Sequence, residues 1–313
     1  METSKNLILL IDGSSLIYRA FYAMPRFTSP QGQPTGAVLG FGNMMLRLIE
    51  DLSPYSLMVT FDYPQKTFRH QLAKEYKAQR KPMPEELIPQ VQLVKDLIHS
   101  FGLKWIEVPG FEGDDIIGSL HHQIPEKLAA AIVSSDLDLL QLIDEKTSLL
   151  KPIKGVTQLK KIDLKTLKEQ YGITPQQIID FIALTGDPSD NIPGLPGIGE
   201  KTALDLLKRY HDWQGILQHL NELPPRIQKT IKEYSQQVEL SLHLATIINN
   251  LPLEIDFRPW NFDQVQWKPL CALLDDLGLV KYKERLIKKR DEFHREDLPL
   301  FSKNQQKRME ENK

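Results

Sequence analysis

Nine acidic residues follow short apolar runs in the first two-thirds of the chain, and oxygen ligands of this kind suit hard divalent cations. Carboxylates gathered at one edge of a sheet repel each other, so such a cluster is tolerable only if cations occupy it. Two divalent cations about 3.5–4 Å apart catalyse in-line displacement at phosphorus. The pattern therefore predicts a two-metal phosphodiesterase. The acids are Asp12, Asp62, Glu112, Asp114, Asp115, Asp136, Asp138, Asp187 and Asp190.

The elements that must position these acids alternate along the chain. Short apolar runs predict buried strands and the segments between them have helical patterns, which predicts an α/β fold with a mostly parallel central sheet flanked by helices. Ligands of such sheets bind beyond the carboxyl ends of the strands, where these acids fall. One aspartate after a strand is usually a helix cap, but recurrence after four strands favours a metal site. The predicted strands cover residues 7–11, 57–61, 105–108 and 129–133, and the predicted helices 36–52, 84–101 and 113–123.

The second half of the chain has a different texture. From residue 163 to residue 248 the pattern predicts only helices, and the end of the chain is polar and highly charged. We therefore predict an α/β core over residues 1–162, a helical region over 163–290 and a flexible tail over 291–313.

A glycine-rich stretch between two of these helices is a second candidate site, within residues 187–209. It nearly matches a nucleotide-binding loop, but Glu200 intrudes before the lysine and no apolar strand precedes it, which argues against an NTPase. A helix-hairpin-helix that offers backbone amides to a duplex phosphate fits better, with a plain helix–helix turn as the alternative. The candidate contacts are Gly194, Gly197, Gly199, Lys201 and Thr202.

A basic segment lies close to Asp62. Residues 66–81 carry six basic residues and one acid, although the formal net charge of the chain is only −2. Their three- and four-residue steps predict a shared helical face with Tyr76 beside it, which suits single-stranded nucleic acid; a solvated helix face is the alternative. The basic residues are Lys66, Arg69, Lys74, Lys77, Arg80 and Lys81.

Several other classes of protein are disfavoured. A phosphatase of the haloacid type needs a second aspartate where this chain has Ser14, and the single cysteine, Cys271, rules out an intramolecular disulfide. The histidines show no zinc spacing. Residues 7–11 are too short for a signal-peptide core or a membrane span, so we expect no membrane association and a cytoplasmic location.

Taken together, these motifs resemble the 5′→3′ exonuclease domain of bacterial DNA polymerase I, within the flap endonuclease (PIN-like 5′-nuclease) superfamily. The likeness runs from about residue 7 to residue 250. Gly113 stands where alanine is common and Leu137 where a basic residue is usual, but no ligand is lost. The motifs are Asp12-Gly13-Ser14-Ser15, Phe61-Asp62, Tyr76-Lys77-x-x-Arg80, Glu112-Gly113-Asp114-Asp115, Asp136-x-Asp138 and Gly186-Asp187-x-x-Asp190-Asn191-Ile192-Pro193-Gly194.

The resemblance implies two Mg²⁺ ions, with Mn²⁺ able to substitute, and a monovalent cation at the hairpin. It also implies that residues 66–84 form a helical arch, in which Lys77 and Arg80 steady the scissile phosphate and Tyr76 stacks a base. Arg19, Lys66, Arg69 and Lys81 complete the expected DNA contacts. The first metal would be held by Asp12, Asp62, Glu112 and Asp114, and the second by Asp136, Asp138 and Asp187, with Asp115 and Asp190 in support.

The implied activity is that of a structure-selective 5′→3′ exonuclease and 5′-flap endonuclease in DNA replication and repair. Expected substrates are 5′ flaps and nicked or gapped duplexes, including RNA-primed ones, with a DNA polymerase as a partner and the chain as a monomer. The sequence contains no polymerase or proofreading domain, so we expect either a free-standing nuclease or a fragment of a longer protein, and the polar end at Lys313 favours a natural terminus. The alternatives are a non-catalytic module that binds DNA junctions and a PIN-like ribonuclease.

Overall fold

The computed structural model describes residues 6–154 and 158–296. A six-stranded sheet runs in the order β3-β2-β1-β4-β5-β6, and every neighbouring pair is parallel except β5 and β6. The predicted α/β class and mostly parallel sheet are confirmed. The strands are β1 (Leu7–Asp12), β2 (Ser56–Thr60), β3 (Lys104–Ile106), β4 (Ala129–Val133), β5 (Thr147–Lys154) and β6 (Gln158–Ile162).

Twelve α-helices flank or follow the sheet in the described part of the chain, together with short 3₁₀ turns. In the region after residue 162 the elements are helices and 3₁₀ turns, as predicted. The helices are α1 (Gly13–Ala23), α2 (Gly36–Leu52), α3 (Phe68–Leu72), α4 (Ile88–Ser100), α5 (Gly113–His122), α6 (Leu164–Tyr171), α7 (Ile178–Thr185), α8 (Glu200–Tyr210), α9 (Trp213–Gln218), α10 (Pro225–Ala245), α11 (Trp267–Asp276) and α12 (Val280–Glu296).

The sheet separates two apolar layers. Side chains of a strand point alternately to its two faces, so in β1 Ile8 and Leu10 pack with α5 and with helices α6 to α10. Leu9 and Ile11 pack on the opposite face with α1, α2, α4, α11 and α12. Because both faces of the central strands are covered, their sequences read as continuous apolar runs, and their polar groups are confined to the strand ends.

Two strands, β5 and β6, were not predicted from the sequence, and the helix predicted over the basic segment is not present as such. β5 contains Pro152 and lysines, and β6 is an antiparallel edge strand with mostly polar residues, so neither shows the signal of a buried strand. The predicted helix over the basic segment is wrong, because α3 has only five residues and residues 74–79 form turns. Lys77 has a φ of 53°, which a right-handed helix does not accommodate.

Residues 291–296 of the predicted flexible tail continue α12, and residues 297–313 lie outside the described residues. Among the helices of the described ranges, none is both long and apolar enough to cross a bilayer.

Candidate functional site

A cleft of about 750 Å³ opens at the carboxyl ends of β1, β2 and β4. Because these strands are parallel and adjacent, the residues that follow them meet at one edge of the sheet although they are far apart in sequence. The start of α5 and the loop after α7 complete the walls. Six of the predicted acids line this cleft: Asp12, Asp62, Asp114, Asp136, Asp138 and Asp187.

Asp12 is fixed by the strand that it ends and by the helix that it begins. One carboxylate oxygen accepts a hydrogen bond from the Ser15 amide at 2.8 Å, which caps α1, and the other accepts from Ser134 Oγ at 2.6 Å. Gly13 permits this tight turn, because a Cβ there would lie 2.7 Å from the carbonyl oxygen of Thr60. Asp12 is therefore held rigidly at the floor of the cleft.

A second group of carboxylates lies where the turn after β4 meets the loop after α7. Asp136 accepts a hydrogen bond from the Asp138 amide at 2.9 Å, which shapes that turn. Asp138, Asp187 and Asp190 each bring one oxygen to within 4.8 Å of the others. Asp190, expected only to support the ligands, therefore lies directly beside two of them.

The carboxylates of the cleft disfavour each other's ionised form. Burial raises the pKa of Asp12 to about 7, and nearby Asp62 adds to the rise. Burial likewise raises the pKa of Asp138 to about 8, with further contributions from Asp136 and Asp190. The pKa of Asp114 is also raised, by burial and then by Asp136. Such a crowded set of oxygen donors fits divalent cations, which would relieve the repulsion.

Lys77 and Arg80 lie against this cluster of carboxylates. Lys77 Nζ lies 2.7 Å from Glu112 and 3.3 Å from Asp190, and Arg80 pairs with Asp190. Burial opposes the charge of Lys77, but Glu112 and Asp190 outweigh it and raise the lysine's pKa. Both cations line the cleft, so they can meet an anion bound there.

Two residues expected to bind DNA are buried instead. Arg69 is 3% exposed, and its guanidinium donates to both oxygens of Asp115 at 2.7 and 2.8 Å. Tyr76 is also 3% exposed, and its hydroxyl donates to Glu112 and Asp190. The predictions that Arg69 contacts DNA and that Tyr76 stacks a base are wrong for this conformation, because buried carboxylates hold both side chains inside.

Glu112 and Asp115 lie behind the wall of the cleft. Glu112 precedes α5, and its carboxylate is engaged by Lys77 and Tyr76. Asp115 is fully buried and also accepts from the amides of Glu112 and Ile248. The structure thus gives Asp115 a supporting position, because both of its carboxylate oxygens accept hydrogen bonds from protein donors.

The remaining predicted DNA contacts surround the cleft. Arg19 donates to Ser135 Oγ at 3.0 Å, and Ser135 lines the cleft. Lys66 is exposed. Lys81 lines a neighbouring cavity of about 550 Å³, which shares Asp62 and Arg80 with the acidic cleft.

The glycine-rich stretch joins α7 to α8, as the sequence predicted. Gly197 has a φ of 78°, which only glycine adopts readily, whereas Gly199 has an extended backbone and open space where a Cβ would stand. Gly199 also lines the acidic cleft, and Lys201 is exposed in the first turn of α8. Thr202 is half-buried and Gly194 packs against the end of α7. The hairpin and the acids therefore adjoin.

Sequence reasoning gave no role in the site to the serines near the cleft. Ser134 bridges Asp12 and the Asp136 amide, and Ser14 accepts from the Asp62 amide at 3.0 Å. Ser135 donates its amide to Ser15 Oγ. Their position at the carboxyl ends of strands was the available signal, but a serine after a strand is too common to single out.

Without a divalent cation, the protein is expected to become less stable as pH rises from about 5 to about 8. Asp12 and Asp138 have folded pKa values of about 7 and about 8, whereas an unfolded aspartate titrates at about 4. The folded state keeps protons that the unfolded state has released, so the free energy of unfolding falls across this range. A divalent cation at about 100 times its Kd would raise the free energy of unfolding by about 2.7 kcal/mol. This stabilisation should be strongest at high pH, where the carboxylates are ionised.

Thermal unfolding in EDTA and in MgCl₂ measures this effect, with NaCl of equal ionic strength as the control. The unfolding temperatures measured in EDTA and in MgCl₂ should diverge above about pH 6. Parallel profiles would show that cations do not relieve the repulsion within the cleft.

Two family models match adjacent parts of the chain. The model described as "5'-3' exonuclease, N-terminal resolvase-like domain" matches residues 7–172, which contain the sheet and most of the acids. The model described as "5'-3' exonuclease, C-terminal SAM fold" matches residues 173–268, which contain the hairpin.

Curated relatives are similar over nearly the whole chain. DNA polymerase I of Bacillus subtilis is 36% identical over 286 residues, which are 91% of this chain and 32% of that protein. The thermostable DNA polymerase I of Thermus thermophilus is 38% identical over 254 residues, or 80% of this chain and 30% of that protein. The chain therefore spans about a third of the length of the curated relatives it matches.

Solved structures share the fold at lower identity. T5 5′-exonuclease with bound zinc ions is 19% identical, with a TM-score of 0.61 over 90% of this chain and 98% of that one. The catalytic core of Rad2 in complex with DNA substrate is 15% identical, with a TM-score of 0.61 over 91% of this chain and 92% of that one. These likenesses confirm the architecture of a sheet followed by a helical region.

Proposed function

The chain belongs to the 5′-3′ exonuclease family, as its motifs predicted, and on this basis we propose that it hydrolyses phosphodiester bonds at 5′ ends and 5′ flaps of DNA. One observation carries the proposal. Six carboxylates line a single cleft, where burial and neighbouring acids raise the pKa of four of them, and that cleft also contains two cationic side chains and one end of the glycine hairpin. Metal ions, a phosphate and a duplex can therefore be brought together there.

We propose that divalent cations, Mg²⁺ by preference with Mn²⁺ as a substitute, occupy this cleft. Asp12, Asp62 and Asp114 line one part of it, and Asp136, Asp138 and Asp187 line the other, so these six would hold two ions. Asp190 lies close enough to Asp138 and Asp187 to orient or join them. When bound, such ions lower the pKa of water and offset charge that develops at phosphorus.

The chain's own residues would act on the phosphate and its surroundings. Lys77 and Arg80 would stabilise the negative charge on the scissile phosphate and so exchange part of their pairing with Glu112 and Asp190 for the substrate. Ser134 would hold the Asp12 carboxylate in position. In this proposal the nucleophile is water and not a side chain. The described residues that line the cleft include no cysteine or histidine.

The hairpin would grip duplex DNA beside the cutting site. Amides at Gly197 and Gly199 and the start of α8 with Lys201 and Thr202 favour a backbone phosphate, where a monovalent cation could also bind. This arrangement would select junctions between duplex and single strand, because the duplex and the free 5′ end would bind on adjoining surfaces. We propose that the chain acts as a monomer on flaps, nicks and gaps, including RNA-primed ends, alongside a DNA polymerase in replication and repair.

Incubation with a 5′-labelled flap DNA, in MgCl₂ and then in EDTA, tests the proposal. Magnesium-dependent release of the flap, leaving a 5′ phosphate and a 3′ hydroxyl, is expected. Binding without cleavage would favour a non-catalytic junction-binding module. Preferred cleavage of single-stranded RNA without duplex DNA would favour a ribonuclease on the same fold.

Gly199→Ala is expected to weaken duplex binding several-fold without lowering the unfolding temperature. A Cβ at Gly199 meets nothing within 4 Å, and the extended backbone accepts alanine, but the methyl group would stand where a phosphate approaches the amides. The salt dependence of affinity should also become smaller, because fewer phosphate contacts remain. Fluorescence anisotropy with duplex DNA over a range of salt measures both effects.

Gly197→Ala provides the contrast for this variant. Its φ of 78° makes alanine strained, so it should lower both stability and binding. Unchanged affinity of the Gly199→Ala protein would show that the hairpin is only a turn between helices.

A further inference from the structure

The basic segment is fastened to the loop that precedes the hairpin. The amide of Lys77 donates to the carbonyl of Asp190 at 2.9 Å. The side chain of Asn191 donates to the carbonyl of Glu75 at 2.8 Å and accepts from Gln79 Nε2 at 3.1 Å. We name these five residues and their three hydrogen bonds the strap.

The strap joins two unusual backbone conformations. In the described residues only four non-glycine residues have a positive φ, and two of them, Lys77 at 53° and Asn191 at 56°, face each other across the strap. Asparagine enters the left-handed region with modest difficulty, whereas lysine rarely does so unless its surroundings impose it. Two hydrogen bonds of Asn191, to Glu75 and from Gln79, flank Lys77 and support this conformation together with the ion pairs of the lysine side chain.

This backbone conformation determines where two cations stand. It directs Lys77 Nζ between Glu112 and Asp190, and it places Arg80 three residues later against Asp190. In a continuous helix over this segment, the side chains of residues 77 and 80 would instead follow the helical face predicted from the sequence. The strap thus holds two cations of the basic segment, Lys77 and Arg80, at the same cleft.

The position of the strap relative to the cleft separates Asn191 from the residues that touch substrate. Asn191 does not line the acidic cleft, whereas Asp187, Pro188 and Ser189 of the same loop do. After Asn191 the chain enters the core at Ile192, which is 4% exposed and exchanges two backbone hydrogen bonds with Asp187. The strap is therefore anchored on its loop side by buried structure.

We propose that Asn191 is a positioning residue, which acts on phosphodiester hydrolysis through Lys77 and Arg80 by holding residues 75–80 against its loop. This inference rests on the proposed function. Because Asn191 does not line the acidic cleft, its loss should affect the rate of the chemical step more than the affinity for DNA.

Asn191→Gly is the sharpest test, because glycine keeps the left-handed backbone and removes only the side-chain amide. Single-turnover cleavage of a 5′-flap DNA is expected to slow by at least about 10-fold, while Kd measured in Ca²⁺ changes by less than about threefold. Gln79→Ala removes one strap bond from an exposed position and should slow cleavage by a smaller factor. Gln92→Ala, which removes an exposed amide bond to Asp96 on α4, is the matched control and should not slow it.

A double-mutant comparison distinguishes positioning from a general structural role. In a Lys77→Ala/Arg80→Ala background, Asn191→Gly should slow cleavage by less than about twofold more, because the groups through which it acts are already gone. Independent, multiplicative losses in the two backgrounds would overturn the inference, as would a wild-type rate for Asn191→Gly. If the Asn191→Gly protein does not fold, the same comparison is made with Gln79→Ala. Its cleavage rate is then measured in the wild-type protein and in the Lys77→Ala/Arg80→Ala protein. Absence of cleavage by the unmodified chain would instead overturn the proposed function.

Discussion

Replacing Asp136 and Asp138 together with alanine is expected to reduce flap cleavage by at least about 10³-fold while DNA binding is retained or becomes tighter. Both side chains line the cleft, and both have a raised pKa because burial and neighbouring acids disfavour their charge. Their removal would delete two of the proposed ligands for a divalent cation, which would abolish catalysis. It also removes negative charge facing the phosphate, which favours binding.

The measurement pairs single-turnover cleavage in Mg²⁺ with DNA affinity in EDTA. Asp136→Asn/Asp138→Asn is the companion variant, because asparagine can keep the hydrogen bond from the residue-138 amide that shapes the turn. Glu169→Gln, an exposed acid in a surface pair with Lys165, is the control and should change neither quantity. Loss of DNA binding together with a lower unfolding temperature would mean that these acids serve the fold.

Arg69→Met is expected to lower the free energy of unfolding by about 3–5 kcal/mol, since it leaves a buried carboxylate without its partner. The Arg69 side chain is 4% exposed and pairs with Asp115, whose side chain is fully buried. Arg69 also donates to the carbonyl of Leu244, in the last turn of α10, and to that of Thr246, directly after the helix. It therefore ties α3, α5 and the helical region to one another.

Urea unfolding of the wild type and of two variants measures this contribution. Adding Asp115→Asn to Arg69→Met removes the orphaned charge and should recover part of the loss. Lys66→Met, which alters an exposed basic residue of the same segment, is the control and should leave stability within about 0.5 kcal/mol of wild type. If Arg69→Met instead weakened DNA binding at unchanged stability, the original sequence-based assignment of Arg69 to DNA contact would be supported.

Much of the candidate site could be predicted from the sequence, because it depends on which residue types follow one another along the chain. An apolar run followed by an acid predicts a buried strand with a carboxylate at its end, and parallel strands bring those ends together. Asp12, Asp62 and Asp136 follow three such runs, and all three line the cleft. The missed strands β5 and β6 lack that apolar signature because they lie towards the edge of the sheet.

The basic segment shows where such reasoning fails. Helical spacing put Arg69 and Lys77 on one exposed face, but their partners are distant in sequence, Asp115 and Asp190 respectively. A buried carboxylate attracts the nearest available cation strongly because there is little water to screen it, and this attraction overrides the weak local preference for helix.

The sequence by itself thus determined the family, the parallel sheet, the set of acids and the glycine hairpin, since strand periodicity, acid placement and glycine content are local properties. Only the tertiary structure decided which cations face the cleft and which are buried, because that depends on carboxylates brought close by folding. Lys77 and Arg80 reach the cleft, whereas Arg69 and Tyr76 are held behind it. The sequence specifies which side chains are charged, whereas burial and partners distant in sequence determine where those charges lie.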